Sequence, residues 1–267
     1  MASPDQELAP LLDKNGVRLT VDGAIATVTL TNPAKRNAQS PAMWRTLAEA
    51  GQVLPGNVRV VVLRGEGQAF SAGLDRQMFT PEGIEGEPSF IDLARRDDAA
   101  LDATIAAYQE AFTWWRRSDI VSIAAVQGHA IGAGFQLALA CDVRVVADDV
   151  QFAMRETSLG LVPDLTGTHP LVGLVGYGRA LEICVTGRFV LAEEAVSSGL
   201  ANLAVPADQL DDAVRDLAGA IVAAPRDAVI ETKALIRGAV DRTYDEQRGA
   251  ERAAQARRLR DLAGLGE

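Results

Sequence analysis

The chain has 267 residues, 48% of them hydrophobic, and a formal net charge of −10. That length and apolar content suit a large globular domain with a full core, or such a domain with an appendage; the acidity excludes nucleic acid and anionic membrane as main partners, leaving an anionic small ligand only where basic residues gather. Two histidines and two cysteines without zinc spacing exclude a histidine-rich or zinc metal centre, and Cys141 and Cys184, both in apolar patterns, read as reduced packing residues of a cytoplasmic protein.

MASPDQELAP has no basic or apolar signal region, so no signal peptide is expected, and no apolar run approaches a membrane span. Residues 1–14 read as a flexible polar leader. Val17–Val21 and Ile25–Leu30 alternate apolar and polar residues around Asp22-Gly23, which predicts a β-hairpin. Ser40-Pro41 opens a helix, with Ser as N-cap and Pro at the first helical position, and Met43, Leu47 and Leu54 give it an apolar side. Arg59–Leu63 is nearly all valine and reads as a buried strand. A first glycine break follows over Gly65–Asp75, then a Gly/Pro-rich loop over 80–90. Asp97–Arg117 is predicted helical, with Leu101, Ile105, Tyr108, Phe112 and Trp115 on one face.

The centre of the chain is 121–136, VSIAAVQGHAIGAGFQ. A buried strand breaks at Gly128, Gly132 and Gly134, and an apolar helix resumes over Phe135–Ala140. Such a junction leaves helix N-terminal amides without partners, suited to a ligand oxygen that carries or develops negative charge; without a ligand it is a tight connection. Strands over Val143–Ala147 and Val150–Ala153 follow. The repeating order of strand, glycine break and helix suggests stacked ββα units whose glycine loops gather along one edge. From Gly167 the chain reads as helices over 167–186, 192–198, 208–223, 225–239 and 243–263, interrupted by a strand at Ala201–Val205. The division is a leader over 1–14, a core over 15–200 and a C-terminal helical region over 201–267.

Several familiar chemistries lack their residues. Gly132-Ala133-Gly134 is followed by Leu137 where a dinucleotide fingerprint needs its third glycine. There is no P-loop, and Ser71 in Ala69-Phe70-Ser71-Ala72-Gly73 lacks the first glycine of a nucleophile elbow. The two glycine breaks could instead each supply one amide to a thioester oxygen as it becomes anionic. Proton removal beside that carbonyl needs a base. Glu156, between two apolar runs, is the candidate, against a salt bridge to Arg155 or a capping role. Asp164 in Val162-Pro163-Asp164-Leu165 reads first as the N-cap of the following helix, and Asp142 as structural.

These residues resemble the crotonase superfamily, the enoyl-CoA hydratase/isomerase family, from about residue 17 to the C-terminal helices. The matching pieces include Asn32-Pro33, Lys35-Arg36-Asn37-Ala38, Ala69-Phe70-Ser71-Ala72-Gly73-Leu74-Asp75, Ala124–Gly128 through Gly134, Cys141-Asp142, Gln151-Phe152, Glu156 with Gly160-Leu161-Val162-Pro163, Thr186-Gly187-Arg188 and Thr232-Lys233. The resemblance implies an α/β fold, a spiral of ββα units with a C-terminal helical oligomerisation region, assembled as a homotrimer or hexamer. It places the oxyanion donors on the Leu74 and Ala133 amides and CoA contacts at Lys35, Arg36, Ala38, Ala72 and Arg76. The substrate it implies is an acyl-CoA thioester, with CoA part of the substrate and no separate cofactor or metal. Family hydratases carry two glutamates; the second matches Glu156, but the first matches Gln136, which cannot act as a carboxylate base. The expectation is therefore an enoyl-CoA isomerase with Glu156 as base, Gln136 orienting substrate and Asp164 as auxiliary acid, in fatty-acid-type metabolism. The alternatives are an enoyl-CoA hydratase and a non-catalytic acyl-CoA-binding protein. Dienoyl-CoA isomerases also show an acid at the Asp164 spacing, together with one at 136.

Overall fold

The structure, a computed structural model, describes residues 9–266. β1 (Leu12–Lys14), β2 (Val17–Asp22) and β3 (Ile25–Leu30) form an antiparallel meander, and Asp22 pairs with Ile25 across a two-residue turn. The leader expected over 1–14 therefore ends sooner, because Leu12 is buried and its strand pairs with β2; residues 1–8 of it lie outside the described residues. α1 (Pro41–Gln52) begins as its sequence demands, with the Ser40 hydroxyl accepting from the Met43 amide and Pro41 in the first turn. Met43, Trp44, Leu47 and Ala50 face the core.

β4 (Val60–Gly65) opens on three valines and a leucine, and its packing shows why. Val61 and Leu63 join the main core, while Val60 and Val62 pack on the opposite face, so both sides are buried. α2 (Phe90–Ala94) and α3 (Asp98–Thr113) lead to β5 (Val121–Val126). β6 (His129–Ile131) lies inside the glycine-rich stretch, which the sequence reading treated as a turn; α4 (Ala133–Ala140) follows after Gly132. All eight α4 residues are buried. Its last carbonyls cannot be hydrated and are met by two guanidinium groups. Arg116 donates to Leu139 O (3.0 Å) and Ala140 O (3.3 Å), and Arg144 donates to Cys141 O (2.8 Å) and Ala138 O (3.4 Å).

β7 (Val143–Ala147) and β8 (Gln151–Ala153) follow. The single helix expected over 167–186 is two, α5 (Thr168–Val175) and α6 (Tyr177–Thr186), because Gly176 at φ +77° turns the chain between them. Cys184 on α6 is half-buried rather than buried, whereas Cys141 is fully enclosed, and both are free thiols. β9 (Val190–Leu191), α7 (Ala192–Ser197), β10 (Leu203–Val205), α8 (Leu210–Ala223), α9 (Arg226–Gly238) and α10 (Tyr244–Leu262) complete the chain.

The main sheet has the order β1-β2-β3-β4-β5-β7-β10, parallel from β3 onward. A second sheet, β6-β8-β9, stands beside it. α8 covers one face of the main sheet through Leu210, Val214 and Ala218 against Val60, Val62, Ile123 and Val145. Beyond the boundary expected at 200/201, β10 is a strand of the main sheet and α8 packs on that sheet. The helical pair beyond is pinned to the core through Lys233, whose ammonium donates to Arg117 O, Ile120 O and Asp142 Oδ2 at 2.6–2.7 Å. Asp142 has the structural role expected of it, bonding also to the Ser122 amide and hydroxyl. Among the described residues no helix is long and apolar enough to cross a membrane.

Candidate active site

The two glycine breaks meet. The Ser71 amide donates to His129 O (2.9 Å) and the Ile131 amide to Ser71 O (3.0 Å), laying 69–75 along β6. On its other edge the same segment is zipped to 36–39: Ala72 N to Arg36 O, Gln39 N to Gly73 O, Asp75 N to Gln39 O. In this parallel bridge Gln39 uses the groups flanking Leu74, so the Leu74 amide points away from Gln39. It donates to no group among the described residues. Ala133 is the first residue of α4, and its amide is likewise free. Gly73, at φ +84°, brings the two together: a Cβ there would collide with the Ile131 carbonyl and lie 3.6 Å from Ala133 N. Two open amides beside the positive end of a buried helix can hold an oxygen that gains charge. Ser71 is not a nucleophile, because its hydroxyl is buried, donates to Asn37 O and accepts from Gln39. Asn37 in turn bonds Glu66 O and Ala69 O. The clasping roles of Asn37 and Gln39 left no periodic signal in the sequence.

Glu156 opens a short 3₁₀ turn after β8 and is buried. Its carboxylate lies against the start of α4: a Cβ on Gly132 would stand 3.3 Å from Oε1 and 3.8 Å from Oε2. Oε1 accepts from Gln136 Nε2 at 2.7 Å, and Oε2 is buried with no protein partner. Burial raises its pKa above the usual carboxylate range, and the charge of Asp164 adds to the rise, against the Gln136 hydrogen bond. Arg155 does not pair with it; the guanidinium donates to Gly187 O and lies over the Phe189 ring.

Gln136 has protein partners at both ends of its amide. Its side chain is fully buried, and Oε1 accepts from the Leu165 amide (2.9 Å) and the Gly167 amide (3.3 Å). These partners fix the amide's orientation and fill both acceptor sites of the oxygen. Gln136 thus holds Glu156 through its nitrogen, and its oxygen has no acceptor site left for a water. Asp164 is not a helix cap: α5 starts at Thr168, with Gly167 at its N-cap position and no side-chain cap. Asp164 is exposed, and partial desolvation raises its pKa above the usual carboxylate range. Its carbonyl accepts from Gln109 Nε2 at 2.7 Å.

The expected CoA contacts share one rim. Lys35 is held by Asp75 Oδ2 and Gln77 Oε1, each at 2.9 Å, so part of its charge is already answered. Arg36 lines a cavity of about 610 Å³ with Gln68, His129 and Gln151; Leu74, Ala133 and Glu156 do not line it. Ala38 and Ala72 are half-buried, with their amides bonded to Lys35 O and Arg36 O, and Arg76 is exposed at the start of a 3₁₀ turn.

The enoyl-CoA hydratase/isomerase family model matches residues 20–261. A "probable enoyl-CoA hydratase", echA17 of Mycolicibacterium paratuberculosis, is 32% identical over 92% of this chain and 89% of its own length. The human mitochondrial Delta(3,5)-Delta(2,4)-dienoyl-CoA isomerase is 34% identical over 77% of this chain, a match that spans 63% of the human protein. Among solved structures, a "putative enoyl-CoA hydratase" from Thermobifida fusca YX in complex with CoA is 50% identical, with a TM-score of 0.88 over 93% of this chain and 95% of that one. The same protein in complex with acetoacetyl-CoA is 51% identical over 92% and 95% of the two chains, also with a TM-score of 0.88.

Proposed function

We propose that this chain, which belongs to the enoyl-CoA hydratase/isomerase family of the crotonase superfamily, is an isomerase that shifts the double bond of an enoyl-CoA thioester. It is an acyl-CoA enzyme; the choice of reaction rests on one observation. A single buried carboxylate oxygen, Glu156 Oε2, is free beside the two open amides, while position 136 holds an amide whose acceptor oxygen is filled.

The thioester oxygen accepts from the Leu74 and Ala133 amides, which makes the α-carbon more acidic. Glu156 Oε2 removes an α-proton from a β,γ-enoyl ester, and the electron pair moves into a dienolate whose oxygen charge the amides hold. Oε1 is committed to Gln136, so the proton resides on Oε2. Return of a proton to the γ-carbon leaves the α,β-enoyl ester, with no net gain or loss of atoms. The CoA moiety runs along the rim of residues 35–38 and 72–76, where Arg36 and Arg76 supply positive charge for its phosphates; the Thermobifida structures with CoA and acetoacetyl-CoA support a CoA ester as ligand.

The test is a 3-enoyl-CoA incubated with the protein in D2O. Double-bond migration with deuterium uptake is expected. Its absence, or full activity in Glu156→Ala, overturns the proposal. Hydration is the second reading, favoured by Asp164, a second acid whose charge raises the Glu156 pKa. Hydration of crotonyl-CoA well above a Glu156→Gln control supports it, whereas hydration that appears only in Gln136→Glu removes it. A non-catalytic binder has no use for an unpaired buried carboxylate.

A homotrimer or hexamer is part of this proposal. Tyr177, Leu181 and Val185 form an exposed apolar row along α6, and Leu159 and Val162 extend the exposed apolar surface. Light scattering should show an oligomer that Leu181→Asp dissociates.

A further inference from the structure

Gln39 and Ser71 are fully buried, and Trp44 is nearly so. Their polar atoms form one continuous rod through the core, from α1 to the 69–75 segment. The Trp44 indole Nε1 donates to Gln39 Oε1 at 2.8 Å, and Gln39 Nε2 donates to Ser71 Oγ at 3.1 Å. Ser71 Oγ donates to Asn37 O at 2.8 Å and accepts from the Gly73 amide at 3.2 Å. An indole N–H only donates, so the amide atom that faces it is the oxygen. Nε2 therefore faces Ser71, both lone pairs of that hydroxyl are taken, and its proton goes to Asn37 O. One donor-only group at the α1 end sets the sense of every bond down to the Gly73 amide.

The rod ends beside the two open amides. The peptide unit that carries the Leu74 N–H also carries Gly73 O, and Gly73 O accepts from the Gln39 amide at 2.7 Å. In a trans peptide the C=O and N–H point in opposite directions, so the bond that fixes Gly73 O also aims the Leu74 N–H. The same bond polarises the peptide and strengthens its N–H as a donor. Gln39 O accepts from the Asp75 amide at 2.8 Å, which holds the other side of Leu74. Ser71 also touches the start of α4: a Cβ on Gly134 would stand 2.6 Å from Ser71 O and 2.9 Å from Oγ. At the far end, the Trp44 ring packs on Tyr108 and Phe112 of α3, at centroid separations of 4.9 and 6.1 Å. A buried amide carries a desolvation cost that an apolar side chain of similar size would not, so packing alone does not account for the rod.

We propose that Gln39 is a positioning residue of the reaction, assisted by Trp44 and Ser71. Its backbone amide aims the Leu74 N–H at the thioester oxygen, and its side chain, braced on Trp44 and Ser71, keeps that backbone in place. This rests on the reading of the Leu74 and Ala133 amides as the receptor of the thioester oxygen, and it holds for either reaction of that thioester.

The test reads the carbonyl itself. A 2-enoyl-CoA with carbon-13 at the thioester carbonyl is bound to Glu156→Gln, which blocks turnover, and the isotope-difference infrared band of that carbonyl is recorded. Hydrogen bonds from the two amides should lower the band below its position in solution. Adding Gln39→Met should move it most of the way back. Adding Trp44→Phe, which keeps the ring packing and removes only the indole donor, should move it by a smaller step. With Glu156 intact, Gln39→Met should lower turnover of 3-enoyl-CoA about tenfold to a hundredfold, at most the effect of losing the donor, with KM within about threefold. A merely structural role predicts a lower melting temperature with the band and the turnover per folded molecule unmoved. Should Gln39→Met not fold, Trp44→Phe decides. A band that keeps its parent position in the folded variants overturns this proposal alone. A band in the Glu156→Gln parent that matches the one in solution overturns the reading of the amide pair, and this proposal with it.

Discussion

The two ends of α4 are treated in opposite ways. At the C-terminal end every carbonyl from Ala138 to Cys141 meets a guanidinium, and Arg144 is enclosed to make that possible. Burial draws the Arg144 pKa down to about 10, so the side chain still enters the core charged at neutral pH. At the N-terminal end the Ala133 amide is left open, and the Leu74 amide opens beside it. A buried backbone group without a partner is costly, and this fold brings two arginines to avoid that cost 8 residues away. The difference supports the proposed role of the open pair as a receptor rather than a packing fault. Glu156 Oε2, buried and unpaired, belongs to the same receptive end.

The largest effect should come from the receptive end. Glu156→Gln should lower turnover about 10²- to 10⁴-fold with little change in KM, read by steady-state kinetics. The raised pKa places the acid limb of the wild-type rate profile above the ordinary carboxylate range, with the rate falling as pH drops through it. The stability change runs the other way. A carboxyl whose pKa is raised on folding loses stability as pH rises from its unfolded to its folded pKa. Glu156→Gln should therefore be the more stable protein at neutral pH, and the gain should vanish below the ordinary carboxylate range; an equal melting temperature at all pH values would contradict the burial argument.

Next comes the donor pair itself. Gly73→Ala adds a Cβ that meets the Ile131 carbonyl at a positive φ, so the Leu74 amide must move. Loss of one such donor costs about 10²- to 10³-fold in turnover. Unchanged kinetics would remove Leu74 from the site. The smallest effect on chemistry should come from the closed end. Arg144→Met leaves buried carbonyls unpaired and should reduce stability by roughly 2–4 kcal/mol, measured by denaturant unfolding, while turnover per folded molecule stays close to wild type.

Local chemistry explains what could be read in advance. The Val17–Leu30 hairpin, the Ser40-Pro41 helix start and the doubly buried valine run of β4 are all written in short-range pattern. Glu156 could be singled out because an acid between two apolar runs is unusual. Short elements escaped. Three residues of β6 between glycines, and three of β1 in a polar stretch, carry no period to detect and form only because a neighbouring strand is waiting. An apolar segment with internal glycines reads as one helix, but Gly176 at φ +77° divides it. The roles of Gln136 and Asp164 depend on partners 20 to 31 residues away in the chain for the one, and on the absence of a cap for the other, and neither is local information.

Gln136 also has a genetic consequence. Glutamine and glutamate codons differ by a single base, so one nucleotide change would place a carboxylate where the amide now stands. One of its oxygens would inherit the waiting Leu165 and Gly167 amides. The other would face Glu156 Oε1 across a 2.7 Å hydrogen bond, a separation at which the two acids must share a proton. The scaffold therefore stands one mutational step from a two-carboxylate site, with the cradle for the new oxygen already built.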